Sequence, residues 1–335
     1  MNIPIWSADQ IETWSDDEFR AELATGSGVL VIRGAYSEPA LLDRVADAFM
    51  RSIEHEQASR GQSSDHFAAG SNLRLWNSVN KLAASQPELF PDYYGNPWLH
   101  RACQAWLGPL YQITAQVNVV VPGGAAQMGH RDYHLGFFPA DLVAQMPPAV
   151  QQLSQWLTLQ GAVVHDDVPL EKGPTQFVLG SQQDADGYRT YREPDEQARF
   201  AQQAVQIPLR KGDLIFFNPK IFHAAGSNAS DEPRLVNLFQ VSSGMAKPME
   251  GLDFRQMVTH VYPVLLEMQD ADAVARTLRV MLDAYPFPSN LDRTPPSEDW
   301  LGLTDTEYWL QAWRGRQSLT SALEGHDLRT HNRQP

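Results

Sequence analysis

Residues 111–124 read YQITAQVNVVVPGG. Ile113, Ala115, Val117, Val119 and Val121 share one parity, and Thr114, Gln116 and Asn118 share the other. A period of two is that of a strand, whose successive side chains point to opposite faces. Pro122-Gly123-Gly124 then breaks the run. Further strand-like runs follow at 154–164, 177–181, 204–209, 213–218 and 234–242, with Gly, Pro, Asn and Asp between them. Gly161 is expected to interrupt the first of these. Many short strands with turn-rich joins mark a sandwich or barrel.

The sequence on either side reads as helix. Ser15-Asp16-Asp17-Glu18 is a capping box, in which the Ser hydroxyl and the Glu carboxylate satisfy free amides at a helix start. A β-rich run, Gly28 to Gly34, precedes a helix opened by Ser37-Glu38-Pro39 and expected to end near Ile53. Residues 57–72 are polar and Gly/Ser-rich, the composition of a loop, and 98–108 are helical. After residue 250 the period turns helical again over 254–268, 271–284 and 304–314. The tail EGHDLRTHNRQP is expected to fray. The expected architecture is mainly β with flanking helices, in a single domain. It has a helical N-terminal part over about 1–108, a β core over about 110–245 and a helical C-terminal extension over about 250–325.

Composition narrows the function. The chain has 335 residues and a formal net charge of −14. It has no basic stripe to neutralise phosphates, which argues against nucleic acid. A single cysteine, Cys103, excludes an internal disulfide and a cysteine-rich metal cluster; its apolar helical context reads as packing. The N-terminus lacks a basic region followed by an apolar one, so no signal peptide is expected. No apolar run is long enough to span a membrane. A cytoplasmic enzyme acting on a small molecule is the expectation, with the helical C-terminal region a candidate homodimer interface.

The chemistry lies in two distant segments. Gly129-His130-Arg131-Asp132-Tyr133-His134 places a histidine and an aspartate two apart. In an extended stretch both side chains point to one side and could grip one ion. Asp213 to His223, DLIFFNPKIFH, reads as an apolar strand ending in a third candidate ligand. Two histidines and a carboxylate on one face of an octahedral metal leave positions open for a bidentate co-substrate and O₂. Arg234, eleven residues after His223, opens the next apolar run. Its planar fork suits a carboxylate. Gln116 and Asn118 share the polar strand face and are candidate pocket residues. Gln127 stands three before the metal motif and is a candidate for co-substrate or substrate. His134, Tyr133, Arg74 and Trp76 are candidate substrate contacts.

HRD at 130–132, EKGPTQFVLGSQ at 171–182 and KGDLIFFNPKIFHAAGSNASDEPR at 211–234 together resemble the phytanoyl-CoA dioxygenase (PhyH) family of Fe(II)/2-oxoglutarate oxygenases. The resemblance covers roughly residues 20–245. It implies a double-stranded β-helix core, also called a jelly roll and cupin-like. It implies iron on His130, Asp132 and His223, the distal carboxylate of 2-oxoglutarate on Arg234, and Thr175 in a turn beside the cavity. The implied reaction oxidises a substrate with O₂ while 2-oxoglutarate becomes succinate and CO₂. Asp132 keeps the carboxylate that related halogenases lack, which points to hydroxylation or desaturation. The strand LQGAVVHDD lacks the aromatic residue the family often carries there, and the insert 137–155 is long. Two other readings use the same residues. A cupin-like isomerase or hydrolase would use three or four nitrogen ligands and need no distal arginine, so Arg234 separates it. A non-catalytic binding protein on this fold would usually have lost a ligand.

Overall fold

The computed structural model describes residues 2–10, 13–60, 72–132, 134–285, 292 and 304–333. Its strands are β1 (Ile5–Ser7), β2 (Val29–Arg33), β3 (Leu73–Leu75), β4 (Tyr111–Val120), β5 (Thr158–Val164), β6 (Gln176–Val178), β7 (Val205–Gln206), β8 (Leu214–Phe217), β9 (Phe222–Ala224) and β10 (Arg234–Ser243). Seven form a mixed sheet in the order β1-β2-β8-β5-β10-β4-β3, with β1 and β2 parallel and the other pairs antiparallel. A small antiparallel sheet, β7-β6-β9, packs on one face of it, with Phe177 of β6 edge-on to Phe217 of β8 at 5.3 Å.

The register divides the large sheet into two unlike faces. Leu238 pairs with Gln116 and Ala162, Gln240 with Gln160, and Gln160 with Phe217. These residues share the face under the small sheet. The alternate set, including Ile113, Ala115, Val117, Leu159, Val163, Leu214, Phe216, Phe239 and Val241, joins helices from both ends of the chain in the main apolar core. All of β4 is buried, so its polar parity does not face solvent. No helix of the described residues is long and apolar enough to cross a membrane.

Several expectations need correction. The run from Asp213 to His223 is two strands in two different sheets, because Asn218 Oδ1 accepts from the Lys220 amide and turns the chain. The helix opened at Pro39 continues past Ile53 to Arg60; of the expected loop at 57–72, residues 61–71 lie outside the described residues. The tail is a helix, Leu319–Arg333. The insert forms two short helices, Ala140–Ala144 and Pro148–Ser154, so the following strand starts later, at Thr158. β5 also runs unbroken through Gly161. A Cβ there would lie 2.6 Å from the Ile215 carbonyl oxygen and 2.7 Å from Phe216 Cδ1. The glycine therefore admits a ring rather than ending a strand. Gly161→Ala should destabilise by about 1–3 kcal/mol through overpacking, read as a lower urea midpoint at unchanged slope.

Two core histidines give the fold an acid limit. His100 Nδ1 meets Tyr111 Oη at 2.6 Å and its Nε2 meets the Tyr94 carbonyl at 2.9 Å. His165, at the bend after β5, meets Tyr93 Oη at 2.7 Å and the Leu42 carbonyl at 3.1 Å. Burial lowers their pKa values to about 3 and about 4. In the unfolded chain both protonate near pH 6.5. The unfolded state thus binds more protons below that pH, and stability falls as pH drops. In urea melts the contribution of these two histidines should be constant above about pH 6.5 and decline from there toward pH 4.

Candidate metal centre

The metal motif is built on the small sheet. The His130 amide donates to the His223 carbonyl at 2.8 Å, and the His223 amide donates back to His130 at 3.0 Å. His130 therefore extends the sheet beyond β9 without belonging to a named strand. The Asp132 amide donates to the Pro219 carbonyl at 3.0 Å. With both residues in this extended path, His130 and Asp132 turn to the same side.

Their ligand atoms converge. One atom each from His130, Asp132 and His223 lies within 4.8 Å of the others. His130 Nε2 is 3.8 Å from Asp132 Oδ1, and His223 Nε2 is 3.5 Å from Asp132 Oδ2. Each Nδ1 meets a backbone carbonyl two residues back, Met128 at 2.9 Å and Ile221 at 3.0 Å. A carbonyl only accepts, so each Nδ1 carries a hydrogen and Nε2 is the nitrogen that faces the carboxylate. Burial, then the neighbouring His223, lowers the His130 pKa below the ordinary range. Burial would raise that of Asp132, but the bond to His223, the charges of both histidines and the Gln160 amide together hold it well below the usual carboxylate range. Two imidazole nitrogens and a carboxylate converging on one point form a donor set that a divalent cation satisfies.

The same cavity holds an anion site. Arg234, first in β10, is 4% exposed. Its Nη1 donates to the Lys172 carbonyl at 3.2 Å and its Nε is buried without a partner among the described residues. No carboxylate pairs with it among the described residues. Burial lowers its pKa to about 10, which leaves it cationic at neutral pH. Gln127, Thr175, Asn118, Gln116, Arg74 and Trp76 line this cavity with the triad and Arg234. Gln127 also braces β9, its Oε1 accepting from the Ala225 amide at 3.2 Å. Arg74 bonds Gln116 and lies over the Trp76 ring. His134 is not among the residues that line the cavity, whereas Phe137, at the end of the turn that follows it, is; the His134 amide donates to Ser154 Oγ at 3.5 Å. Tyr133 lies outside the described residues.

Two contributors escaped the sequence reading. Gln160 of β5 donates from Nε2 to Asp132 Oδ2 at 2.5 Å; a polar residue in the apolar run TLQGAVV was the available signal. Arg131, fully buried between the two ligands, points away from the cavity. It donates to the carbonyls of Ser181 at 2.6 Å and Lys220 at 2.5 Å and to Asp184 Oδ2 at 2.6 Å. It thereby fastens the His130–Asp132 segment to the turn preceding His223. Gly187 leaves room for it, since a Cβ there would lie 2.6 Å from Arg131 Cζ. Arg131→Met strands two buried carbonyls, while Asp184 keeps Arg199 at 2.7 Å. The expected loss is roughly 2–4 kcal/mol of stability in urea melts, with weaker metal uptake in an equilibrium titration.

The comparisons with known proteins agree with this geometry. The phytanoyl-CoA dioxygenase (PhyH) family model matches residues 25–236. The iron/alpha-ketoglutarate-dependent dioxygenase ausU of Aspergillus calidoustus is 26% identical over 57% of this chain and 61% of its own length. The dioxygenase aneA of Aspergillus aculeatus is 26% identical over 61% of this chain and 65% of its own. The chain thus spans about three fifths of the length of these curated relatives. Among solved structures, the non-heme alpha ketoglutarate dependent carbocyclase SnoK from nogalamycin biosynthesis superposes with a TM-score of 0.50 over 72% of this chain and 95% of its own, at 19% identity, a likeness of fold. With the family model covering most of the region from β2 to β10, this chain belongs to the phytanoyl-CoA dioxygenase (PhyH) family.

Proposed function

We propose that this chain is an Fe(II)- and 2-oxoglutarate-dependent dioxygenase that hydroxylates a small or medium-sized metabolite and forms succinate and CO₂. One observation carries the reading: three converging metal-ligand atoms and a buried, unneutralised guanidinium share a single cavity. A zinc hydrolase or isomerase would have no use for that guanidinium. The two sheets correspond to a double-stranded β-helix, and the chain to one oxygenase domain. Its single, buried cysteine suits a reducing, cytoplasmic setting.

His130, Asp132 and His223 would hold iron on one face, with the cavity beyond it. When bound, iron with 2-oxoglutarate and O₂ supplies the oxidising power directed at a substrate C–H bond. Arg234 would take the distal carboxylate of 2-oxoglutarate through two parallel hydrogen bonds, strengthened by burial. Thr175, Gln127 and Asn118, which line the same cavity, would contact the same co-substrate. Gln116, Arg74 and Trp76 also line the cavity and are the proposed substrate contacts. Val164, Val168, Leu209, Ile215 and Val236 also line it, and this apolar wall excludes water from the reacting region.

Fe(II) and 2-oxoglutarate added to metal-free protein without O₂ should produce a weak visible absorption band. His223→Ala should abolish it. Arg234→Ala should keep metal uptake but raise the 2-oxoglutarate concentration for half-saturation by about 100-fold or more, the loss of a buried charge pair. Folded wild-type protein that develops no band refutes the proposal. A screen for substrate-dependent succinate release identifies the metabolite.

A further inference from the structure

Gln160 stands out among the buried polar groups of the cavity. It is 1% exposed, lies in the middle of the large sheet on β5 and sits directly behind Asp132. Gln160 turns its NH₂ toward Asp132 and donates from Nε2 to Oδ2 at 2.5 Å. That choice fixes the other end of the side chain. Gln160 Oε1 is buried and has no donor among the described residues. An unsatisfied buried acceptor is costly, and a hydrophobic residue in this apolar strand would avoid the cost. Its neighbours on the same face are the apolar Ala162 and Phe217 and one further amide, Gln240. The side chain is therefore explained by its donor end, which reaches Asp132.

We infer that Gln160 is a positioning residue that sets the orientation of the Asp132 carboxylate toward the metal. This rests on the iron reading above. Asp132 lies two residues past the His130 bridge to the small sheet, and its carboxylate can rotate about the bond to Cβ. The two histidines are each fixed at Nδ1 by a backbone carbonyl. Gln160 does the equivalent for the third ligand by occupying one lone pair of Oδ2. It comes from the large sheet, whereas the histidines are held by the small one. The side-chain bond thus ties the metal face across the gap between the sheets.

The test uses Co(II), whose visible bands report ligand geometry, on the full chain. Gln160→Met keeps length and burial but cannot donate. Its metal-free form should melt within a few degrees of wild type, while Co(II) affinity falls about tenfold or more and the bands shift. Gln240→Met, the neighbouring amide on the same sheet face, is the control and should leave the Co(II) bands unchanged. Should Gln160→Met fail to fold, Gln160→Leu, which also cannot donate, should show the same shift of bands. Co(II) affinity within twofold of wild type with unchanged bands in the Gln160 variant overturns this inference alone. A shift equally large in Gln240→Met also overturns it, since any lost amide would then act alike. Wild-type protein that takes up no Co(II) overturns the iron reading and this inference together.

Discussion

Two reciprocal backbone hydrogen bonds between His130 and His223 hold the site together. They bring residues far apart in the chain into register, and main-chain pairing leaves both side chains free for chemistry. Asp132 follows from the same geometry, since a residue two further along an extended path turns to the same side. Arg131, between them, must then turn to the other side, where it bonds the turn before His223. One short stretch of pairing thereby fixes three ligands and the bracket behind them.

The large sheet surrounds this pairing with two kinds of environment. One face is an apolar core shared with helices from both termini. The other carries amides and Arg234 beside aliphatic side chains. Burying a guanidinium without a countercharge is unfavourable, and so is burying amide oxygens without donors. A fold retains such groups where a ligand completes them. The position of Arg234, first in β10 and beside Lys172, places its charge in the cavity that the triad faces.

Much of the fold was legible because strand and helix periods are local properties. The alternation of Tyr111 to Val121 identified β4 and its two faces. The short edge strands β1 and β3 were missed, since three residues carry no readable period. Gly161 misled because its role is to admit Phe216, a contact between strands. The tail was misread because polar composition alone does not exclude a helix that packs on one side. His134 was grouped with the cavity by its spacing, but it is Phe137, at the end of the next turn, that lines it.

The sequence by itself determined the residue types of the site, their order and the family, because those are carried by motifs whose spacing is written along the chain. Only the tertiary structure decided that His223 leaves the large sheet for the small one and that Arg131 is a fastener. It also decided that Gln160 stands behind Asp132. These depend on which strands become neighbours, and strand pairing joins residues whose separation in the chain carries no local signal.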